Sequence, residues 1–178
     1  SPQDSFSTTC SSITNGIISF FLLILVTVFP LVFHNSYFDI LETKYMCFYL
    51  TVLIMLGTLL LTGLIMLFID LKEFQGEHVK QLFCKLKPSC WKSTFSIADA
   101  AVFIFWLVSV ISTFQSEYFY ESFWGNEGRY SGLFLMTLYV ALYFTVSHFW
   151  HMKPWLFQCF LAASLVVCLI GISDAFYM

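Results

Sequence analysis

The chain has 178 residues, of which 59% are hydrophobic and only 11% charged, with a mean hydropathy of +0.81. Soluble domains carry roughly a quarter charged residues, so the composition excludes a water-soluble enzyme or regulator and calls for a lipid bilayer. The formal net charge of -3 is too small to argue for nucleic acid, and no nucleic-acid partner is expected.

Six cysteines, Cys10, Cys47, Cys84, Cys90, Cys159 and Cys168, form no C-x-x-C pair and fall partly inside apolar runs. They read as small apolar fillers rather than as a disulfide framework or a zinc site. The chain opens on Ser1 rather than Met, which reads as a trimmed chain or a fragment. The polar start, residues 1–12, has no Lys or Arg, so no signal-peptide head is present and the first apolar run is expected to stay as an anchor.

Apolar runs near 20 residues match the roughly 20 needed to cross about 30 Å of hydrocarbon. The first expected span is Ile13–Phe33, with Pro30 near its end, where a kink is easiest to accommodate. A short connection from His34 to Thr43 follows. Tyr45–Ile69 is then 25 residues without a charge, long enough to span with some tilt.

The stretch Asp70 to Thr94 holds Lys72, Lys80, Lys85, Lys87 and Lys92, five of the eight Lys plus Arg in the chain. The positive-inside rule makes it cytoplasmic. Within it Val79, Leu82, Phe83 and Leu86 have helical spacing with lysines on other faces. This fits a short helix in the headgroup plane and equally a solvated loop.

Phe95–Phe114 is the third expected span. Asp99 sits about one turn in, and an ionised group in hydrocarbon costs at least about 2.5 kcal/mol, which makes it a functional candidate. The competing reading is a carboxylate matched to the dipole of a first helical turn. The fourth span is Ser131–Trp150, and the fifth, Trp155–Ser173, follows a turn through His151, Met152, Lys153 and Pro154. His148 and His151 have no carboxylate or cysteine nearby in sequence to complete a metal site, so they read as interface histidines, and no metal or cofactor is expected.

The expected fold class is therefore all-α, a multi-pass transmembrane helical bundle of five spans forming one membrane domain over residues 1–178. Alternation from the lysine-rich loop puts the N-terminus in the cytoplasm, residues 34–43 and 115–130 outside, and the C-terminus outside. An odd span count ending on the outer face predicts the N-terminal part of a longer protein.

Between the third and fourth spans, residues 115–134 gather aromatics, carboxylates, Gly125, Gly128, Gly132 and the sole arginine, Arg129. Tyr118, Phe119, Tyr120, Phe123, Trp124 and Tyr130 suit the outer interface, where rings sit at headgroup level. Gly128 and Gly132 are four apart, which would give a smooth helix face if the fourth helix began near Gly128. Arg129 would then lie in a first turn beside free N–H groups, where a bound anion resolves the clash of cation and dipole, and phosphate is the natural guess. An ion pair with Glu121 or Glu127 is the competing account.

The run Ser122-Phe-Trp-Gly-Asn-Glu-Gly-Arg-Tyr-Ser-Gly-Leu-Phe134, preceded by a span ending Val-Ser-Val-Ile-Ser-Thr, resembles the N-terminal half of bacterial O-antigen ligase and polymerase-type membrane proteins. The resemblance is sharp over about residues 109–149 and only hydropathic elsewhere. It implies a glycosyltransferase that transfers or polymerises glycans from undecaprenyl-diphosphate carriers in cell-envelope polysaccharide biosynthesis, on the outer face of the bacterial cytoplasmic membrane. It maps a Gly-x-x-x-Arg-x-x-Gly pattern onto Gly125, Arg129 and Gly132, with Gly128 alongside, as a candidate lipid-diphosphate site. Implied partners are membrane lipid, the lipid-linked glycan donor and other polysaccharide-assembly membrane proteins.

Family members have about twice as many spans and a late outer loop whose arginines and histidine carry the transfer. Nothing here matches that loop, so the catalytic residues are unknown and the active site is expected to be incomplete in this chain. The alternatives are a small multi-pass assembly or binding subunit without catalysis, or a piece of a transporter. The transporter reading lacks the several midplane charges it would want.

Overall fold

The computed structural model describes residues 2–31, 40–73, 95–126 and 130–176, and every regular element among them is a helix. In chain order these are α1 (Pro2–Leu31), α2 (Ile40–Glu73), α3 (Ile97–Phe114), α4 (Phe119–Trp124), α5 (Leu133–Phe149) and α6 (Pro154–Phe176). The suggested headgroup-plane helix at Val79 to Leu86 lies outside the described residues.

Four helices are long and apolar enough to cross a membrane, over Phe6–Leu31, Leu41–Glu73, Ile97–Phe114 and Pro154–Ser173. The expected fourth span corresponds to α5, an apolar helix of 17 residues, about 26 Å long at 1.5 Å per residue. That is slightly less than the roughly 30 Å hydrocarbon thickness. By contrast the 34 residues of α2 reach about 51 Å, absorbing part of each connection expected to flank it.

Helix α1 also begins earlier than expected, at Pro2 rather than near Ile13. Proline suits a first helical turn because its missing N–H has no partner there. Further along the helix, hydroxyl side chains donate to the carbonyl one turn back. Ser19 Oγ donates to Asn15 O at 2.7 Å and Thr27 Oγ1 to Leu23 O at 2.6 Å. Helix α2 repeats the device at Thr51, Thr58 and Thr62.

Helix α1 packs against α2, α5 and α6, while α3 packs on α5 and α4 bridges α3 and α5. Buried apolar side chains are few, and Phe48, Val52 and Leu138 form their centre. Phe48 meets Phe29 of α1 at 6.2 Å and Tyr139 of α5 at 4.9 Å between ring centroids. Large apolar residues such as Leu60, Leu61, Phe68, Phe105 and Leu165 are exposed. Lipid tails solvate such a surface as well as leucine does, so little apolar burial between helices is needed or gained.

Side-chain hydrogen bonds between helices supply specificity instead. Trp106 Nε1 of α3 donates to Thr137 Oγ1 of α5 at 3.0 Å, and Trp150 Nε1, just past α5, donates to Ser19 Oγ of α1 at 3.0 Å. Tyr143 of α5 donates its hydroxyl to Asp99 Oδ1 of α3 at 2.9 Å. The backbone N–H of His151 reaches Asn15 Oδ1 at 3.1 Å. The contacts of Trp150, Tyr143 and His151 collect the start of α3, the close of α5 and the segment leading into α6 at one end of the bundle. Tyr45 stacked on Tyr130 at 4.9 Å marks the other, so the long helices alternate in direction.

Asp99 is held by several partners at once. Ser96 caps α3, with Asp99 N donating to Ser96 Oγ at 3.2 Å and Ser96 N donating to Asp99 Oδ2 at 2.8 Å, a reciprocal capping box. The carboxylate is 2% exposed: it is a first-turn carboxylate, as the dipole reading expects, and also a buried interhelical acceptor, which neither sequence reading named. Replacing Asp99 by Ala should cost roughly 2–4 kcal/mol, the sum of a lost cap and an orphaned Tyr143 hydroxyl. Thermal unfolding in detergent measures it, and an unchanged midpoint would show that the tie contributes nothing.

Candidate functional site

The end marked by Tyr45 and Tyr130 is built around two glycines. Helix α4 starts after Ser116, whose Oγ accepts from Tyr118 N at 3.2 Å and from Ser122 Oγ at 2.8 Å. It stops at Gly125, whose φ of 88° lies in the left-handed region that costs a residue with a Cβ about 1–2 kcal/mol. The chain then returns, with Tyr130 N donating to Asn126 O at 3.1 Å. Tyr130 itself has φ 48°, a conformation rare without glycine, and its ring is pinned on Tyr45.

Gly132 closes the return directly against Gly125. A Cβ on Gly132 would overlap Phe123 O and Gly125 N, and one on Gly125 would come within 2.5 Å of Ser131 N and 2.6 Å of Tyr130 C. Backbone therefore packs on backbone, with no room for even a methyl group. This corrects the expected helix start: α5 begins at Leu133 with Gly132 as its extended N-cap, φ -86° and ψ -179°. Gly132 thus meets Gly125 and Phe123 rather than lying with Gly128 on a helix face. The first turn assigned to Arg129 belongs instead to Leu133 and its successors. Gly128 and Arg129, with Glu127, lie outside the described residues.

Aromatic side chains brace this end. Phe123 and Trp124 approach Phe134 at 6.1 and 5.1 Å, and Phe134 meets Tyr49 of α2 edge-on at 5.6 Å. Phe119 bridges Phe114 and Phe123. The expected aromatic belt therefore divides. Tyr118, Phe119, Tyr120 and Trp124 are exposed, as headgroup-level rings would be, while Phe123 and one side of Trp124 fasten α4 to α5.

Beside the glycine contact lies an open cavity of about 340 Å³, with Ser109, Ser112, Thr113, Ser122 and Ser131 supplying five hydroxyls and Gly132 part of the wall. It falls at the small end of ligand cavities, which run from about 300 to 1,000 Å³. Its two sides differ chemically. Ser109 Oγ donates to Phe105 O and Thr113 Oγ1 to Ser109 O, both at 2.9 Å. On the α5 side, no described side chain caps the helix start, where the first N–H groups lack intrahelical acceptors. None of the described lining residues carries a charge.

The opposite end of the bundle holds a second polar cluster that the sequence did not assemble. His148 Nε2 lies 3.4 Å from Asp99 Oδ2, off the line of a hydrogen bond but close enough for an ion pair when the imidazole is protonated. Phe144 stacks on the same ring at 5.9 Å. His151 falls beyond the end of α5 at Phe149, so the two histidines do not share a helix face. Tyr143, 44 residues from Asp99, had no local signal to announce the pairing. Among the described residues no three His, Cys, Asp or Glu side chains gather as metal ligands.

No protein-family model, curated protein or solved structure matches this chain.

The glycine contact makes a sharp contrast between positions. Gly132→Ala and Gly125→Ala should each destabilise by at least about 1–3 kcal/mol, the usual cost of overpacking. Gly57 and Gly171 have open space where a Cβ would sit, so Gly57→Ala and Gly171→Ala should be neutral or stabilise by up to about 1 kcal/mol. Thermal unfolding of the four variants side by side reads the difference. Equal behaviour would mean the close backbone approach is absent.

Proposed function

We propose that this chain is the N-terminal membrane part of a glycosyltransferase of the O-antigen ligase and polymerase type. In this reading it spans the bacterial cytoplasmic membrane five times, with its N-terminus in the cytoplasm and the glycine-clamped end at the outer face. There it holds the head of an undecaprenyl-diphosphate-linked glycan for transfer to an acceptor or to a growing chain. The observation that carries the reading is the hydroxyl-lined cavity set against the Gly125–Gly132 contact and the uncapped start of α5.

The division of labour follows from chemistry. A diphosphate needs hydrogen-bond donors, and a helix start supplies backbone N–H groups and a favourable dipole. Arg129, within the loop that Gly125 and Gly132 bracket in sequence, brings the cation and a planar pair of donors. The end of α3 and the start of α5 line one cavity, which in this reading faces outward. The short α5 fits a span whose outer end is recessed beneath the interface, where a lipid-borne head group would enter sideways.

If Arg129 clamps the diphosphate, Arg129→Lys should weaken binding nearly as much as Arg129→Ala, because an ammonium keeps the charge but loses the two-bond grip. The expected loss is about 1.5–3 kcal/mol, the worth of hydrogen bonds to a charged group, or roughly ten- to more than a hundredfold in affinity. Binding of a lipid-diphosphate glycan to full-length protein measures it. A lysine variant that binds like the parent would overturn the clamp and leave a surface ion pair with Glu121 or Glu127 as the role of Arg129.

A further inference from the structure

A hydroxyl side chain has one proton to give and two lone pairs to receive with. On the α3 side of the cavity that proton is committed at two positions, Ser109 to Phe105 O and Thr113 to Ser109 O, and on the α4 side Ser122 shares one hydrogen bond with the Ser116 hydroxyl. At these positions what is left for a ligand is an acceptor, while Ser112 on the same helix keeps a proton to give, a mixture that suits sugar hydroxyls, which both give and receive. The protein uses the same chemistry twice inside its own bundle. Thr137 donates back to Leu133 O and receives Trp106 Nε1–H, and Ser19 donates back to Asn15 O and receives Trp150 Nε1–H.

From this polarity, and resting on the reading that this end binds a lipid-linked glycan, we propose that Ser109, Thr113 and Ser122 form a specificity subsite for an uncharged, hydroxyl-bearing sugar ring next to the diphosphate. Sugar hydroxyls donate to the three side-chain oxygens. A phosphate oxygen, which has no proton to give at neutral pH, gains nothing there and meets lone pairs facing lone pairs. The wall therefore sorts the two halves of the ligand: the ring lies against α3 and α4, and the diphosphate is left to the donor side of the cavity. The volume of about 340 Å³ is enough for one sugar ring against this wall, with the rest of a glycan free to extend through the open side.

The test uses full-length protein in nanodiscs and two probes, undecaprenyl diphosphate carrying one neutral hexose and undecaprenyl diphosphate alone. The parent should bind the hexose-bearing carrier about tenfold more tightly or better, since each hydrogen bond contributes roughly two- to tenfold. In the Ser109→Ala, Thr113→Val double variant the ratio of the two affinities should fall to near one. Equal affinity of the parent for both carriers would overturn the subsite, as would a folded variant that keeps the parent's ratio. The parent comparison decides the matter even if the variant does not fold. Failure of the parent to bind either carrier would instead overturn the proposed function.

Discussion

The contact on which the rest of this end depends is the one between two glycine backbones. Gly125 can end α4 with a positive φ and Gly132 can begin α5 where a Cβ would overlap Gly125 N and Phe123 O only because neither has a side chain. That approach fixes the end of α4 against the start of α5, while α4 also packs on α3. It brings Phe123 and Trp124 onto Phe134, Tyr130 onto Tyr45, and Ser122 and Ser131 to the same cavity as Ser109 and Thr113. Each of those contacts is weak alone. They coexist because the backbone has been placed once.

Elsewhere the bundle is held by satisfying polar groups rather than by hiding apolar ones. Leaving an N–H or hydroxyl unpaired in hydrocarbon costs several kcal/mol, whereas exposing leucine there costs nothing. The indoles of Trp106 and Trp150 and the phenol of Tyr143 each find an acceptor on a neighbouring helix, and the threonines and serines along the helices return their protons to carbonyls a turn away. Asp99 gathers the most partners of all, from its own cap and from α5. Such ties choose which helix faces meet without requiring a large dry core.

How much of this was legible in the sequence varies with the range of the interaction. Long apolar runs with at most one charge can satisfy their backbone in a bilayer as helices, so α1, α2, α3 and α6 could be read directly. Their ends could not. Helix α1 takes in a polar start that no apolar run announces, and α2 runs on past Asp70 to Glu73. The glycines drew attention correctly, but the spacing of Gly128 and Gly132 pointed to a helix face, while Gly132 in fact pairs with Gly125 outside any helix. Periodicity has no way to show that a backbone touches another backbone. The meeting of Asp99 with Tyr143 and His148 is a tertiary event, and a lone carboxylate near a helix start carries no mark of its distant partners.

The central claim is that the glycine-clamped end, not the Asp99 end, receives a lipid-borne diphosphate glycan. Photo-crosslinking states the question most directly: a diphosphate-linked glycan lipid with a photoreactive group on its first sugar is added to the full-length protein in nanodiscs, irradiated, and the adducts are mapped by mass spectrometry. The account predicts adducts within residues 109–136, concentrated on the α3, α4 and α5 segments that line the cavity. Adducts confined to the segments around Asp99, Tyr143 and His148, or labelling no different from that of a lipid lacking the diphosphate, would contradict it.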